Sequence, residues 1–184
     1  MRVEGGLRIS LERRKTLKLQ FNSKKTFDGV ISGTGSLVKL GTDILELTAD
    51  NLYSGSTTIE DGVLVAGVPI AGQGTSFALG KGDVFLLAGT LRTPSLDPLT
   101  INVGGNYTQG PGGRLALGIA GINEQDYDHV QVGGNASLNG TLAVSSACGR
   151  NAVSELTPGQ PIRDCSFRTN CSSTSSTPRR YGIG

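Results

Sequence analysis

The densest group of side chains that could do chemistry is Asp126-Tyr127-Asp128-His129. Two carboxylates and an imidazole can hold a divalent cation or act as general acid and base. On an extended strand, however, side chains two positions apart point to one face, so we expect Asp126 and Asp128 to lie together while His129 points to the other face. We interpret the group as the start of a strand and predict no catalytic residue and no metal ligand there.

The three cysteines, Cys148, Cys165 and Cys171, lie near one end of the sequence. They are separated by 16 and 5 residues, a spacing that matches no zinc-binding pattern and contains no C-x-x-C. Because three cysteines cannot all pair with one another, we expect free thiols or a single disulfide. The chain has one histidine, which excludes a metal site with several histidine ligands.

Glycine-rich segments match two kinds of ligand-binding loop only in part. Gly33-Thr-Gly35 and Gly72-Gln-Gly74 lack the third glycine and the βαβ setting of a dinucleotide-binding loop. The segments that start at Gly104 and Gly133 lack the Gly and Asp that follow in calcium-binding nonapeptide repeats. We therefore predict no cofactor, and we predict that the protein is not an enzyme.

Composition limits the class of protein further. Glycine supplies 28 of the 184 residues, aromatic residues make up 5%, and tryptophan is absent. No run approaches the ~18 apolar residues of a membrane-spanning helix, so we expect no direct membrane insertion by this chain. The first residues include Glu4 and lack an apolar h-region, so we expect no secretory signal within them.

The formal net charge of +2 conceals three unlike segments. Residues 1–25 hold eight basic and two acidic residues, residues 26–146 hold four basic and eleven acidic ones, and residues 147–184 hold five arginines and two acidic residues. Nucleic-acid binding requires basic side chains on a folded face, with aromatic residues or a known module among them. Since the patterned middle segment is acidic, we predict no nucleic-acid partner.

A Gly-x-Leu pattern followed by further apolar residues recurs five times in the middle segment. The spacings are 27, 27, 24 and 27 residues, between Gly35, Gly62, Gly89, Gly113 and Gly140. A second repeat supports this period, because residues 101–108 return as residues 130–137 with an offset of 29. The sequence thus indicates a recurring structural unit of about 27 residues.

Each unit consists of short apolar or alternating runs between turn-forming residues, which is typical of β-strands. No window shows a capped apolar stripe of helical period, so the sequence predicts an all-β chain. A unit of ~27 residues suits three strands and three turns wound once around an axis, each strand pairing with its copy in the next coil. We predict a solenoid of about five coils, in which five leucines stack in one inward column: Leu37, Leu64, Leu91, Leu115 and Leu142.

A β-sandwich built from antiparallel hairpins is the alternative architecture. It requires two-residue turns such as Asn-Gly, and Asn139-Gly140 is the one candidate in the sequence. The recurrence of about 27 residues favours the solenoid.

Residues 27–64 carry a more specific pattern. It runs Phe27-Asp-Gly-Val-Ile-Ser-Gly-Thr-Gly-Ser-Leu-Val-Lys-Leu-Gly-Thr42, continues through Leu45-Glu-Leu-Thr-Ala-Asp-Asn-Leu-Tyr-Ser-Gly-Ser-Thr-Thr-Ile59 and ends with Gly62-Val-Leu64. This stretch resembles the autotransporter-associated β-strand repeat, from which it departs at Asp43-Ile44, Ala49 and Ser56. The resemblance implies turns at Gly33, Gly35, Gly55 and Gly62, and an inward column that contains Leu37, Leu45, Leu47 and Leu64.

The resemblance implies a right-handed parallel β-helix with irregular ends, in the passenger region of a bacterial autotransporter-like protein. It implies a non-catalytic structural or adhesive role, at the cell surface in association with the outer membrane or as a secreted protein. Glycans or proteins of host or neighbouring cells would be its partners. The alternative is a carbohydrate-active β-helix enzyme of the lyase or glycosidase type, which requires charged residues grouped on one lateral face. Asp61 aligns with Ala88, Gly112 and Asn139, so no acidic column forms.

We divide the chain into three parts. Residues 1–25 are a basic N-terminal segment that forms an opening coil or a cap, and residues 26–146 are the β-helix repeat region. Residues 147–184 are an irregular tail rich in Cys, Arg and Ser. Two interpretations of this tail stay open: a natural disordered tail, or the sign of a fragment or misread frame of a longer protein.

Overall fold

Short strands separated by tight corners dominate the computed structural model, which describes residues 2–3, 8–67, 74–94, 98–121, 123–146 and 153–156. For residues 2–3, 124, 146 and 153–156 it describes only the backbone. The strands are, in chain order, β1 (Arg2–Val3), β2 (Ile9–Leu11), β3 (Thr16–Leu19), β4 (Lys25–Phe27), β5 (Ile31–Gly33), β6 (Ser36–Lys39), β7 (Ile44–Leu47), β8 (Thr57–Ile59), β9 (Val63–Ala66), β10 (Gly74–Ser76), β11 (Val84–Arg92), β12 (Leu99–Val103), β13 (Tyr107–Ile119), β14 (His129–Val132), β15 (Ala136–Ser137), β16 (Thr141–Ser146) and β17 (Val153–Leu156). One 3₁₀ turn, Glu124–Asp126, is the sole helical element within these ranges.

The strands form three faces, and successive turns of the chain add rungs to them. Face 1 stacks β3, β6, β8, the first half of β11, the first half of β13 and β15, all parallel. Face 2 stacks β1, β4, β7, β9, the second halves of β11 and β13, and β16, also parallel, with β17 antiparallel at its end. Face 3 contains the parallel strands β2 and β5, and then β10, β12 and β14. Residues 51–54 lie between these two groups and are bonded through their backbone to both sides.

This arrangement is a parallel β-solenoid, in which face 2 returns five times between β4 and β16. The predicted all-β class, the parallel stacking and the number of about five coils are confirmed. The sandwich alternative is wrong, because the strands on either side of Asn139-Gly140, β15 and β16, both pair in parallel with β13. Within the described ranges, no helix has the length and apolar character needed to cross a membrane.

The predicted column of five leucines is wrong at its first member. The leucines that are in register on face 2 are Leu64, Leu91, Leu115 and Leu142. Leu37 lies on face 1, between Leu17 and Thr57, and Leu45 is the neighbour of Leu64 in the preceding coil. The early coils are short, with an offset of 20 residues from Leu37 to Thr57 and of 19 from Leu45 to Leu64. The first 27-residue spacing of the Gly-x-Leu pattern therefore links two different faces.

The core lies between the three faces and is filled from alternate strand positions. Buried and partly exposed residues alternate along β6 and β7, as the opposite directions of successive strand side chains require. The fully buried aliphatic side chains include Ile31, Leu37, Leu45, Leu47, Ile59, Leu64, Leu79, Leu86, Leu91 and Ile101. Burying one such side chain contributes about 1.5–3 kcal/mol, and adjacent coils provide much of the cover for each other.

The corner between faces 3 and 1 requires glycine, because successive coils approach closely there. A Cβ on Gly55 would lie 2.2 Å from the backbone oxygen of Gly35 in the preceding coil. A Cβ on Gly82 would lie 2.2 Å from the backbone oxygen of Gly55. Since real Cβ atoms do not approach an oxygen this closely, a larger residue at either position forces the coils apart.

Candidate functional site

The segment around Asp126 does not form the extended strand that the sequence predicts. Glu124–Asp126 is a 3₁₀ turn, and strand β14 begins only at His129. Asp126 Oδ2 accepts hydrogen bonds from the backbone N–H and the side-chain amide of Asn123, at 2.9 and 2.8 Å. Asp126 and Asp128 therefore do not share a strand face, and the expectation that they lie together on one is wrong.

Asp128 is buried and binds three parts of the solenoid at once. Its Oδ2 accepts hydrogen bonds from the Thr93 hydroxyl and from the backbone N–H of Gly118, both at 2.6 Å. Its Oδ1 accepts one from the backbone N–H of Leu99 at 2.9 Å. The carboxylate thus joins the segment after β11, the start of β12 and the end of β13, which is a structural role.

The described residues contain no group of three or more His, Cys, Asp or Glu side chains that could hold a metal ion. The three cysteines and Gly72 lie outside the described residues. The prediction of no metal ligand, no cofactor and no catalytic residue therefore stays a prediction.

A groove of about 680 Å³ lies on face 3, over β10, β12 and β14. Tyr127 and His129 line it, with ring centroids 4.9 Å apart and ring planes inclined by 38°. Thr75, Thr100 and Gln131 also line the groove, together with Gln125 of the 3₁₀ turn. This is a concave surface in which aromatic rings stand beside hydroxyl and amide groups.

The strand register orders these polar groups along the solenoid axis. Thr75, Thr100 and His129 occupy equivalent positions of β10, β12 and β14, and the neighbouring Ile101 points into the core. Gln131 lies two residues further along β14. Because adjacent rungs are ~4.8 Å apart, hydrogen-bonding groups repeat at this distance across the groove.

A second concavity, of about 520 Å³, lies at the end of the core beyond β13. Its apolar lining consists of Leu115, Leu117, Val130, Val132, Ala136, Leu138 and Leu142. Leu138 is 69% exposed and Leu142 is 37% exposed. These are side chains of the solenoid interior, and they provide no group for acid–base chemistry or metal binding.

The repeat that the sequence resembles coincides with coils of the solenoid. Residues 37–66, which extend from β6 to the end of β9, match the family model described as passenger-associated-transport-repeat. The chain carries an autotransporter passenger repeat. The resemblance drawn from the sequence is confirmed.

The chain is also similar to a protein of Escherichia coli (strain K12) named "Uncharacterized protein YuaQ". The two are 29% identical over 158 residues, which cover 78% of this chain and 12% of that protein. The chain therefore spans a small part of the length of this relative. No solved structure matches the chain.

Asn51, which lies within the passenger repeat, links three coils of the solenoid. Its Oδ1 accepts a hydrogen bond from the backbone N–H of Ile31 in the preceding coil, at 2.8 Å. Its Nδ2 donates to the backbone oxygen of Ala78 in the following coil, at 2.7 Å. The amide is 1% exposed, so one side chain satisfies buried backbone groups on both sides.

Lys39 of the passenger repeat is fully buried, although its sequence context suggested no role for it. Its Nζ donates hydrogen bonds to the backbone oxygens of Leu40 at 2.7 Å, Gly41 at 2.6 Å and Asp61 at 3.3 Å. Burial lowers the pKa of Lys39, while the charges of Asp43 and Asp61 partly oppose this shift. The alternation of inward and outward side chains along β6 could have predicted its burial, because Lys39 follows the inward Leu37 by two residues.

Proposed function

We propose that this chain is a non-catalytic, structural and adhesive segment of an autotransporter passenger, displayed at a bacterial cell surface or secreted. The observation that carries the proposal is the passenger repeat at residues 37–66. Its buried polar side chains, Asn51 and Lys39, bond to backbone groups of the solenoid. They support a rigid, laterally extended surface, which suits display and contact.

A carbohydrate-active β-helix enzyme is the second candidate, and the groove on face 3 is the observation that favours it. Glycoside hydrolysis usually requires a pair of carboxylates that flank the scissile bond. The described residues that line the groove include no Asp or Glu. Asp128 is buried nearby with its oxygens bound to protein donors, which supports binding rather than turnover.

A protease-accessibility assay on intact cells of the producing organism tests the display part of the proposal. Antibodies raised against the purified chain should label unbroken cells or the culture medium, and external protease should remove that signal while a cytoplasmic marker stays intact. Deletion of the gene should lower adherence to coated surfaces. A signal that appears only after cell lysis would contradict the proposal.

A turnover assay tests the non-catalytic part. We expect purified chain to release no reducing ends or unsaturated products from neutral or acidic polysaccharides above the level of a heat-denatured sample. Turnover that co-purifies with the folded chain would contradict a purely adhesive role.

A further inference from the structure

The groove on face 3 combines two kinds of surface that a sugar ring recognises. Tyr127 and His129 line the concavity with their rings, and the apolar C–H face of a pyranose can pack on an aromatic ring. Thr100, Gln125 and Gln131 present hydroxyl and amide groups, which both donate and accept hydrogen bonds and so match sugar hydroxyls. The volume of about 680 Å³ lies in the range of small-ligand sites.

We propose that this groove binds a neutral oligosaccharide along the solenoid axis. The proposal rests on the proposed passenger role and names the partner class that an adhesive surface of this chain would contact. Successive sugar units would lie across β10, β12 and β14, where the polar positions of Thr75, Thr100 and His129 repeat from rung to rung.

The charge of the lining selects a neutral ligand. The described residues that line the groove include no Lys, Arg, Asp or Glu. Uronic acids, sialic acids and sulfated sugars are favoured by cationic partners, which compensate the loss of hydration of their charge. A neutral hexose or N-acetylhexosamine chain carries no such charge and can be held by hydroxyl and amide groups alone.

The folding of the solenoid explains why this groove is preorganised. Asp128, directly between Tyr127 and His129 in the chain, is anchored to Thr93, Leu99 and Gly118. Its anchoring fixes the backbone that carries both aromatic rings, and β14 pairs with β12 over four residues. A site on such rigid elements binds without a large ordering cost.

Titration calorimetry with the purified full chain tests the proposal. The probes are tetrasaccharides of β-1,4-linked glucose, β-1,3-linked glucose and β-1,4-linked N-acetylglucosamine, with tetragalacturonate as the acidic comparison. We expect saturable binding of at least one neutral probe and none of tetragalacturonate. Absence of saturable binding for all three neutral probes, or preference for the acidic one, would overturn the proposal.

Matched variants assign the binding to the groove. Tyr127→Ala should weaken binding roughly two- to tenfold, which corresponds to about 0.4–1.4 kcal/mol. Gln131→Ala and Thr100→Val should weaken it severalfold. Phe85→Ala and Thr58→Val change partly exposed residues at outward positions of face 1 and should leave the affinity unchanged. Circular dichroism of every variant verifies folding, and unchanged affinity in folded Gln131→Ala together with folded Thr100→Val would overturn the assignment.

The two proposals fail separately. If calorimetry detects no sugar binding, the groove proposal fails but labelling of intact cells still supports the passenger role. If the protein is found only inside the cell, the passenger role fails even when the groove binds sugar in vitro. A panel of unrelated peptides is included, and preferential binding of a peptide in the groove would overturn the oligosaccharide as its ligand.

Discussion

Lys39 shows how a charged side chain can stabilise a solenoid from within. Its ammonium group satisfies the backbone oxygens of Leu40, Gly41 and Asp61, which the corner between faces 1 and 2 directs inward. A methionine has a similar volume but no donor. Lys39→Met therefore replaces the buried ammonium group by an apolar side chain of similar volume. The three backbone oxygens then lack the hydrogen-bond donor that Lys39 provides.

We expect Lys39→Met to lower the free energy of unfolding by roughly 2 kcal/mol at pH 7, because unsatisfied buried acceptors outweigh the gain in apolar packing. Urea unfolding followed by circular dichroism measures this difference. The matched control is Lys81→Met, which changes an exposed lysine and should alter stability by less than about 0.5 kcal/mol.

The lowered pKa of Lys39 adds a pH dependence with a defined sign. The folded protein releases this proton at a lower pH than the unfolded chain, so the unfolded chain binds more protons up to its ordinary pKa of about 10.5. The stability of the wild type relative to Lys39→Met should therefore increase as the pH rises from 7 towards 10. A difference that shrinks over this range would contradict the assignment.

Asp128 is the second residue whose contribution can be measured directly. Asp128→Ala leaves the Thr93 hydroxyl and two backbone N–H groups without their acceptor, and we expect the free energy of unfolding to fall by about 3 kcal/mol. Asp128→Asn keeps one acceptor oxygen and should lose less. The comparison is Asp126→Ala, whose carboxylate bonds to Asn123, and equal losses for Asp126→Ala and Asp128→Ala would contradict the structural role of Asp128.

At the scale of elements, the corners limit which sequences can form successive coils. The corner glycines let the backbone of one coil pass within contact distance of the next, as Gly55 does over Gly35. Strand residues tolerate more change, because their outward side chains meet solvent and only the inward ones must fit the core.

We expect Gly55→Ala to cost roughly 3 kcal/mol, because its Cβ would lie 2.2 Å from the backbone oxygen of Gly35. For a chain of this size, that corresponds to a fall in melting temperature of roughly 6–12 °C. Gly112→Ala is the matched control, since its Cβ would meet no atom closer than 3.3 Å. A similar melting temperature for both variants would show that the coils are not packed as described.

The strands and their stacking could be predicted from the sequence, but the register could not be predicted throughout. The spacing of Leu64, Leu91 and Leu115 reports the coil length correctly, because these residues occupy equivalent strand positions on face 2 in successive coils. The sequence pattern misplaces Leu37, because the early coils contain about 20 residues and the glycine turn before face 1 resembles the glycine turn before face 2. Local periodicity does not reveal which corner a glycine occupies.

The groove and the buried polar groups depend on contacts between distant residues. Asp128 bonds to Thr93, 35 residues away, and this pairing exists only once the lengths of the intervening coils are known. The 3₁₀ turn at Glu124–Asp126 also departs from the extended backbone that the sequence predicts. The sequence marks residues 126–129 for their carboxylates and imidazole, but it does not predict that Tyr127 and His129 line a groove beside β10 and β12.

At the scale of the whole molecule, each coil of the solenoid pairs with the coils directly before and after it. β2, β3 and β4 pair with β5, β6 and β7, so residues 8–27 form a coil on one side of the passenger repeat. Coils that contain β11, β13 and β16 extend it on the other side. Stability of such a structure is the sum of coil and interface contributions, so a substitution in one corner should be felt mainly by the adjacent coils.

Disulfide trapping between face-1 positions tests this stacking most directly, in a background with the three native cysteines replaced by serine. Val38→Cys with Thr58→Cys places two outward residues on adjacent rungs, about 4.8 Å apart, within reach of a disulfide. Val38→Cys with Val65→Cys has the 27-residue offset of the sequence repeat but joins two different faces. After mild oxidation, peptide mapping should find the disulfide in the first pair and none in the second. A disulfide in the second pair and none in the first would contradict the stacked coils.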